Sequence, residues 1–139
     1  MPVTVLSDSL PVSYDEIALL WTSTQEQLNI ADDDINVQTV SAKEIQKLNK
    51  QYRQKDKPTN VLTFTYDGEH DVALCEDIAK EEAEQHGVSF RDYTAWLLAH
   101  AFVHAAGVDH EKSRDEEERM KDLEKKILKK SGFTRPDIY

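Results

Sequence analysis

The sequence predicts a single α+β domain over residues 1–139, a small mixed sheet of about four strands packed with about five helices. Three observations carry this expectation. Short runs rich in β-branched residues alternate with longer stretches whose apolar residues recur every three or four positions. An Asp67-Gly68 dipeptide joins two of the strand-like runs directly, which makes them an antiparallel hairpin. One helical stretch, YTAWLLAHAFVHAAG, is apolar almost all round and belongs at the buried centre.

Taken in order, residues 2–7 (PVTVLS) read as a first strand. From Ser13 to about Asn29 the chain is helical, with Ile17, Leu20, Trp21, Gln25 and Leu28 on one face and Ser13 and Glu16 as a capping box. Asp32, Asp33 and Asp34 form a loop, and Ile35–Val40 alternates as a half-buried strand does. Ser41 and Glu44 open a second helix with Ile45, Leu48 and Tyr52 facing inward. Pro58 ends it, because the residue before a proline avoids the helical region. Asn60–Thr65 and Asp71–Cys75 are the hairpin strands. Helices follow from about Asp77 to His86, from Ser89 to Gly107, and from Ser113 onward, the last with Met120, Leu123 and Ile127 on its inner face. Trp21 and Trp96 read as core, Cys75 as a buried strand residue, and His70 as an exposed residue beside the turn.

The single cysteine excludes an internal disulfide, and the longest uncharged stretch, Tyr93–Val108, is 16 residues where a membrane span needs roughly 20. The first residues lack the basic start and apolar run of a secretory signal, so a cytoplasmic protein without membrane contact is expected. The net charge of −10 argues against broad binding to nucleic acid. Its distribution qualifies that. Residues 1–42 hold seven acids and no Lys or Arg, whereas residues 43–57 hold six Lys or Arg against two acids. One short basic segment is therefore set into an acidic chain.

The histidines carry the chemistry. His100 and His104 lie one helical turn apart and leave the same face of the central helix. Gly107 lets the chain turn back, and His110 arrives from that turn as a third imidazole. Three neutral imidazoles leave one tetrahedral position open to water, the arrangement of a catalytic zinc site on a zincin-like helix. One Zn2+ per chain is expected. Metzincin proteases share the spacing but place glutamate, their general base, directly after the first histidine; this chain has Ala101 there. The lack of that carboxylate counts against peptide hydrolysis more than against phosphodiester cleavage, where charge neutralisation dominates.

The stretches HAFVHAAGVDHEKSRDEEERMKDLEKKIL and LNKQYRQKDKPTNVLTF, with VALCEDIAKEEAEQHG between them, resemble the YbeY family of bacterial endoribonucleases over roughly Val37–Leu128. The resemblance implies a single-strand-specific, metal-dependent RNase that acts in 16S rRNA 3′-end maturation and ribosome quality control. Its partners would be single-stranded rRNA, the small ribosomal subunit, and ribosomal or GTPase proteins, not DNA. It implies His100, His104 and His110 as metal ligands and Arg53 as the functional arginine, and it places Lys55 and Lys57 beside the metal cleft to bind substrate. In that reading Arg53 stabilises charge on the scissile phosphate while metal-activated water attacks. The chain departs from the family pattern at Ala101, Ala105 and Thr65, where glycine, leucine and proline are common. Asp109 would orient a metal histidine, act as a base, or cap its own turn. Two other readings stand beside the nuclease: a zinc peptidase or amide hydrolase without the usual glutamate, and a ribosome-associated binding protein whose zinc holds the fold.

Overall fold

A computed structural model describes residues 3–7, 9–30, 33–107 and 114–138. Four strands and five helices follow one another along these residues: β1 (Val3–Leu6), α1 (Tyr14–Leu28), β2 (Asp34–Thr39), α2 (Ala42–Arg53), β3 (Val61–Tyr66), β4 (Glu69–Leu74), α3 (Glu76–His86), α4 (Phe90–Ala105) and α5 (Arg114–Lys130). The expected α+β architecture with a mixed sheet is what forms.

The strand order is β1-β2-β4-β3. β1 pairs with β2, and β2 with β4, in parallel; β3 and β4 run antiparallel across the Asp67-Gly68 turn. β3 is thus an edge strand, and its outward backbone groups need partners from elsewhere. Gly68 has φ +74°, a conformation that side chains with a Cβ rarely adopt.

Alternation along the strands divides the apolar residues between two layers. Val3, Ile35, Val37, Val72 and Leu74 point into the main core with α1, α3, α4 and α5. Leu62 and Phe64 point the other way and meet Ile45 and Leu48 of α2 in a smaller cluster that includes Cys75. α2 therefore covers part of the opposite sheet face.

The local signals act where they were read. Ser13 caps α1 in a full box, its hydroxyl accepting from the Glu16 N–H while Glu16 accepts from the Ser13 N–H. Ser41 accepts from the Glu44 N–H, but Glu44 bonds the Ser41 hydroxyl instead of its backbone, so only half the box forms. The N-cap expected at Ser113 lies outside the described residues.

α4 is the centre of the molecule. Tyr93, Leu97, Leu98, Ala99, Ala101, Phe102 and Val103 are all at most 2 % exposed. Each large apolar side chain buried here contributes roughly 1.5–3 kcal/mol, which is why a helix apolar on every side must be enclosed. Trp21 and Trp96 are core residues as expected.

Two expectations fail. Tyr52 is 48 % exposed, because α2 covers only the end of its sheet face. His70 is 3 % exposed: β4 begins at Glu69, and the pleat turns His70 into the main core.

Candidate active site

His100 and His104 stand on the last two turns of α4, with ring centroids 4.7 Å apart and ring planes at 77°. Trp96, one turn earlier, packs against His100 at 5.1 Å, so three rings succeed one another along one face of the helix. Both histidines are only partly buried, while most of α4 before them is closed off. Gly107 follows with φ +97°, and its N–H closes the helix on the His104 carbonyl. His110 and Asp109 lie outside the described residues. Among the described residues, no three His, Cys, Asp or Glu side chains come together as a metal-holding group.

The sequence reading missed the group that fixes His100. Glu124 of α5 is 1 % exposed, and its Oε2 lies 2.7 Å from His100 Nδ1. Its Oε1 accepts from Trp96 Nε1 at 3.0 Å and from Arg135 Nε at 2.9 Å. Burial alone would raise the Glu124 carboxyl. The hydrogen bond and charge of His100 and the bonds from Arg135 and Trp96 outweigh it, and hold the group below the ordinary carboxylate range. An ionised carboxylate only accepts, so His100 Nδ1 carries the proton and Nε2 is the nitrogen suited to a metal. A carboxylate behind a histidine in this way is the usual support of a metal-binding imidazole. The described pair, His100 and His104, thus offers imidazole donors of the kind a metal ion takes.

A signal for Glu124 was present. It falls four residues after Met120 and three before Ile127, on the apolar face of α5, where an acid has no business without a partner. Arg135 carried no such signal, since it reaches Glu124 from the segment beyond α5.

Arg53 ends α2 and lies over the β3 edge. Its Nη2 donates to the Thr63 carbonyl at 2.6 Å, its Nη1 donates to the Tyr52 carbonyl at 3.3 Å, and its guanidinium lies 5.4 Å from the Phe64 ring centre. Two residues along the same strand, the Thr65 hydroxyl donates to the Ala105 carbonyl at 3.4 Å, directly after His104. The β3 edge thus connects the arginine to the end of the histidine helix. Lys55 and Lys57 are exposed in the following loop. Buried Asn49 pins that loop, its Nδ2 donating to the Lys57 carbonyl at 2.9 Å and its own carbonyl accepting from the Lys55 N–H.

Thr65 also lies 3.1 Å from His70 Nδ1, and His70 Nε2 lies 2.6 Å from Asp33 Oδ2. The buried His70 therefore ties the hairpin to the residues before β2. Thr65 makes these contacts through a hydroxyl that a proline at this position would lack.

A family model described as Endoribonuclease YbeY matches residues 11–132. The chain belongs to the YbeY family. Endoribonuclease YbeY of Delftia acidovorans is 41 % identical over 109 residues, spanning 76 % of this chain and 72 % of that protein. Endoribonuclease YbeY of Staphylococcus carnosus is 36 % identical over 136 residues, 88 % of each chain. The solution structure of TM1509 from Thermotoga maritima superposes with a TM-score of 0.61 at 26 % identity, over 99 % of both chains. The resemblance read from the two histidine- and arginine-bearing stretches is confirmed, and the YbeY fold is the one that forms. Among the described residues, no helix is long and apolar enough to cross a membrane.

Proposed function

We propose that this YbeY family member is a zinc-dependent endoribonuclease specific for single strands, acting in 16S rRNA 3′-end maturation and ribosome quality control in the cytoplasm. The observation that carries the reading is the convergence of Arg53 and the end of α4 on one sheet edge, with His100 already oriented by Glu124. His100, His104 and His110 would hold the metal, His100 through Nε2. When bound, the ion supplies Lewis-acid chemistry that neutralises charge at a phosphodiester.

The chain's own residues do the rest. The guanidinium of Arg53 carries more N–H donors than its two backbone carbonyls use, and it meets phosphate oxygens in a fixed planar fork. Lys55 and Lys57 add point charges along the same exposed loop and draw in the RNA backbone. Ala101 is 1 % exposed and offers no carboxylate beside His100, which disfavours the peptidase reading. The acidic remainder of the surface confines RNA to the basic segment, so the ribosomal small subunit and its proteins are the partners that bring substrate to the site.

The test is cleavage of a single-stranded RNA ending in the 16S 3′ region by wild type, His104→Ala, and wild type stripped of metal and reloaded with zinc. Cleavage lost in the variant and restored to the stripped protein only by zinc is the expected result. Equal cleavage by variant and wild type would overturn the metal assignment.

A further inference from the structure

Behind the Arg53 edge lies a second feature, which the metal chemistry does not use. Tyr52 and Tyr66 are 48 % and 57 % exposed, among the largest apolar exposures in the chain. With Phe64 they line a pocket of about 150 Å³ between α2 and the open part of the sheet. Pockets for whole drug-sized ligands run to roughly 300–1,000 Å³, so this one suits a single ring system. Tyr52 and Phe64 stand edge to face, with centroids 5.0 Å apart, and Leu48 and Ala73 add apolar lining.

The polar groups are few and placed on one side. Gln38 and Asp71 line the pocket. Asp71 Oδ1 accepts from Asn36 Nδ2 at 2.8 Å, which holds the carboxylate in place. The Arg53 guanidinium lies 5.4 Å from the ring centre of Phe64, one of the lining side chains. Lys47, Lys50, Arg53, Lys55 and Lys57 are all exposed along α2 and its loop. An anionic backbone is therefore attracted to the α2 side and repelled by Asp71 and Glu69 on the sheet. A nucleotide entering with its base inward and its phosphate toward Arg53 satisfies both charges.

We infer that this pocket holds one unpaired nucleobase of the RNA, stacked on Tyr52, Phe64 and Tyr66, with cytosine favoured over uracil. The inference rests on the RNA reading above. Aromatic side chains beside a basic track are the usual means of holding single strands. Asp71 supplies the discrimination: a carboxylate accepts from the cytosine N4 amino group but faces the O4 acceptor of uracil. The pleat of β3 explains the geometry. Phe64 and Tyr66 point to the pocket face while Thr65 points toward α4, so the pocket and the histidine helix lie on the two sides of one edge strand.

The experiment measures equilibrium binding of short fluorescent oligo(C) and oligo(U) RNAs to the zinc-loaded protein over a salt series. Wild type should bind oligo(C) more tightly, and Asp71→Asn should erase that difference, because an amide both donates and accepts. Tyr66→Ala should bind oligo(C) roughly tenfold more weakly with an unchanged salt slope, and Tyr66→Phe should restore it. Unchanged affinity in Tyr66→Ala, or equal binding of the two oligomers by wild type, would overturn the pocket. A wild type that neither binds nor cleaves any RNA would instead overturn the function on which it rests.

Discussion

Glu124 holds His100 by Nδ1 at 2.7 Å from inside the core, and Arg135 holds Glu124 in turn at 2.9 Å. A relay of three side chains from two helices and a terminal segment thus decides which nitrogen of His100 faces the candidate metal site.

Replacing Glu124 with glutamine keeps the shape but removes the charge that fixes the His100 tautomer. Zinc affinity should fall 10- to 100-fold by chelator competition, as is typical when the support of a metal ligand is lost. Removing Arg135 instead strands a buried carboxylate. Arg135→Ala should cost roughly 3 kcal/mol in denaturant unfolding. Equal zinc affinity in Glu124→Gln and wild type would remove Glu124 from the site.

Arg53→Ala should reduce cleavage of single-stranded RNA and lower the salt slope of binding by about one. Arg53→Lys should recover only part of the rate, because lysine lacks both the planar fork and the stacking on Phe64. The residue is exposed, so unfolding free energy should stay within about 0.5 kcal/mol of wild type. An Arg53→Ala protein that cleaves at the wild-type rate would make its bond to Thr63 purely structural.

Glu16 and Arg91 pair through two hydrogen bonds that join α1 to α4, one of them 2.8 Å long. The bond from Arg91, aided by the Ser13 N–H, lowers the Glu16 carboxyl from 4.5 to about 2. The folded value lies below the unfolded one, so the stabilisation is complete above about pH 4.5 and is lost as pH falls from there toward 2. Arg91 is half exposed, which limits the pair to about 1 kcal/mol or less at neutral pH. Glu16→Gln should flatten this part of the acid-unfolding profile. The same acid limb in both proteins would assign it to other carboxylates.

Thr94 presents a different opportunity. Its hydroxyl is buried in α4 and has no hydrogen-bond partner among the described residues. Thr94→Val removes the polar atom at nearly constant shape, and should leave stability unchanged or raise it by up to about 1 kcal/mol in thermal unfolding. A clear loss would mean that the hydroxyl is satisfied in solution.

Much of the fold was readable because its signals are local. Ser13 with Glu16, the Asp67-Gly68 turn and the all-apolar face of α4 each act within a few residues, where spacing maps directly onto geometry. The errors have one cause. The spacing puts Tyr52 on the inward face of α2, and it does meet Phe64 edge to face at 5.0 Å, yet it stays 48 % exposed at the mouth of an open pocket. A place beside the turn suggests an exposed His70, yet the register with β2 turns it inward against Asp33.

By itself the sequence determined the order of strands and helices, the pairing of His100 and His104 on one helical turn, and the basic segment of residues 43–57 that holds Arg53. Only the tertiary structure decided that Glu124, 24 residues after His100, fixes its tautomer, and that Arg53 closes on the β3 edge which Thr65 joins to α4. The reason is physical. Helix and strand periodicity follow from backbone geometry within a few residues, whereas the partner of a buried polar group depends on which surfaces pack together across the chain.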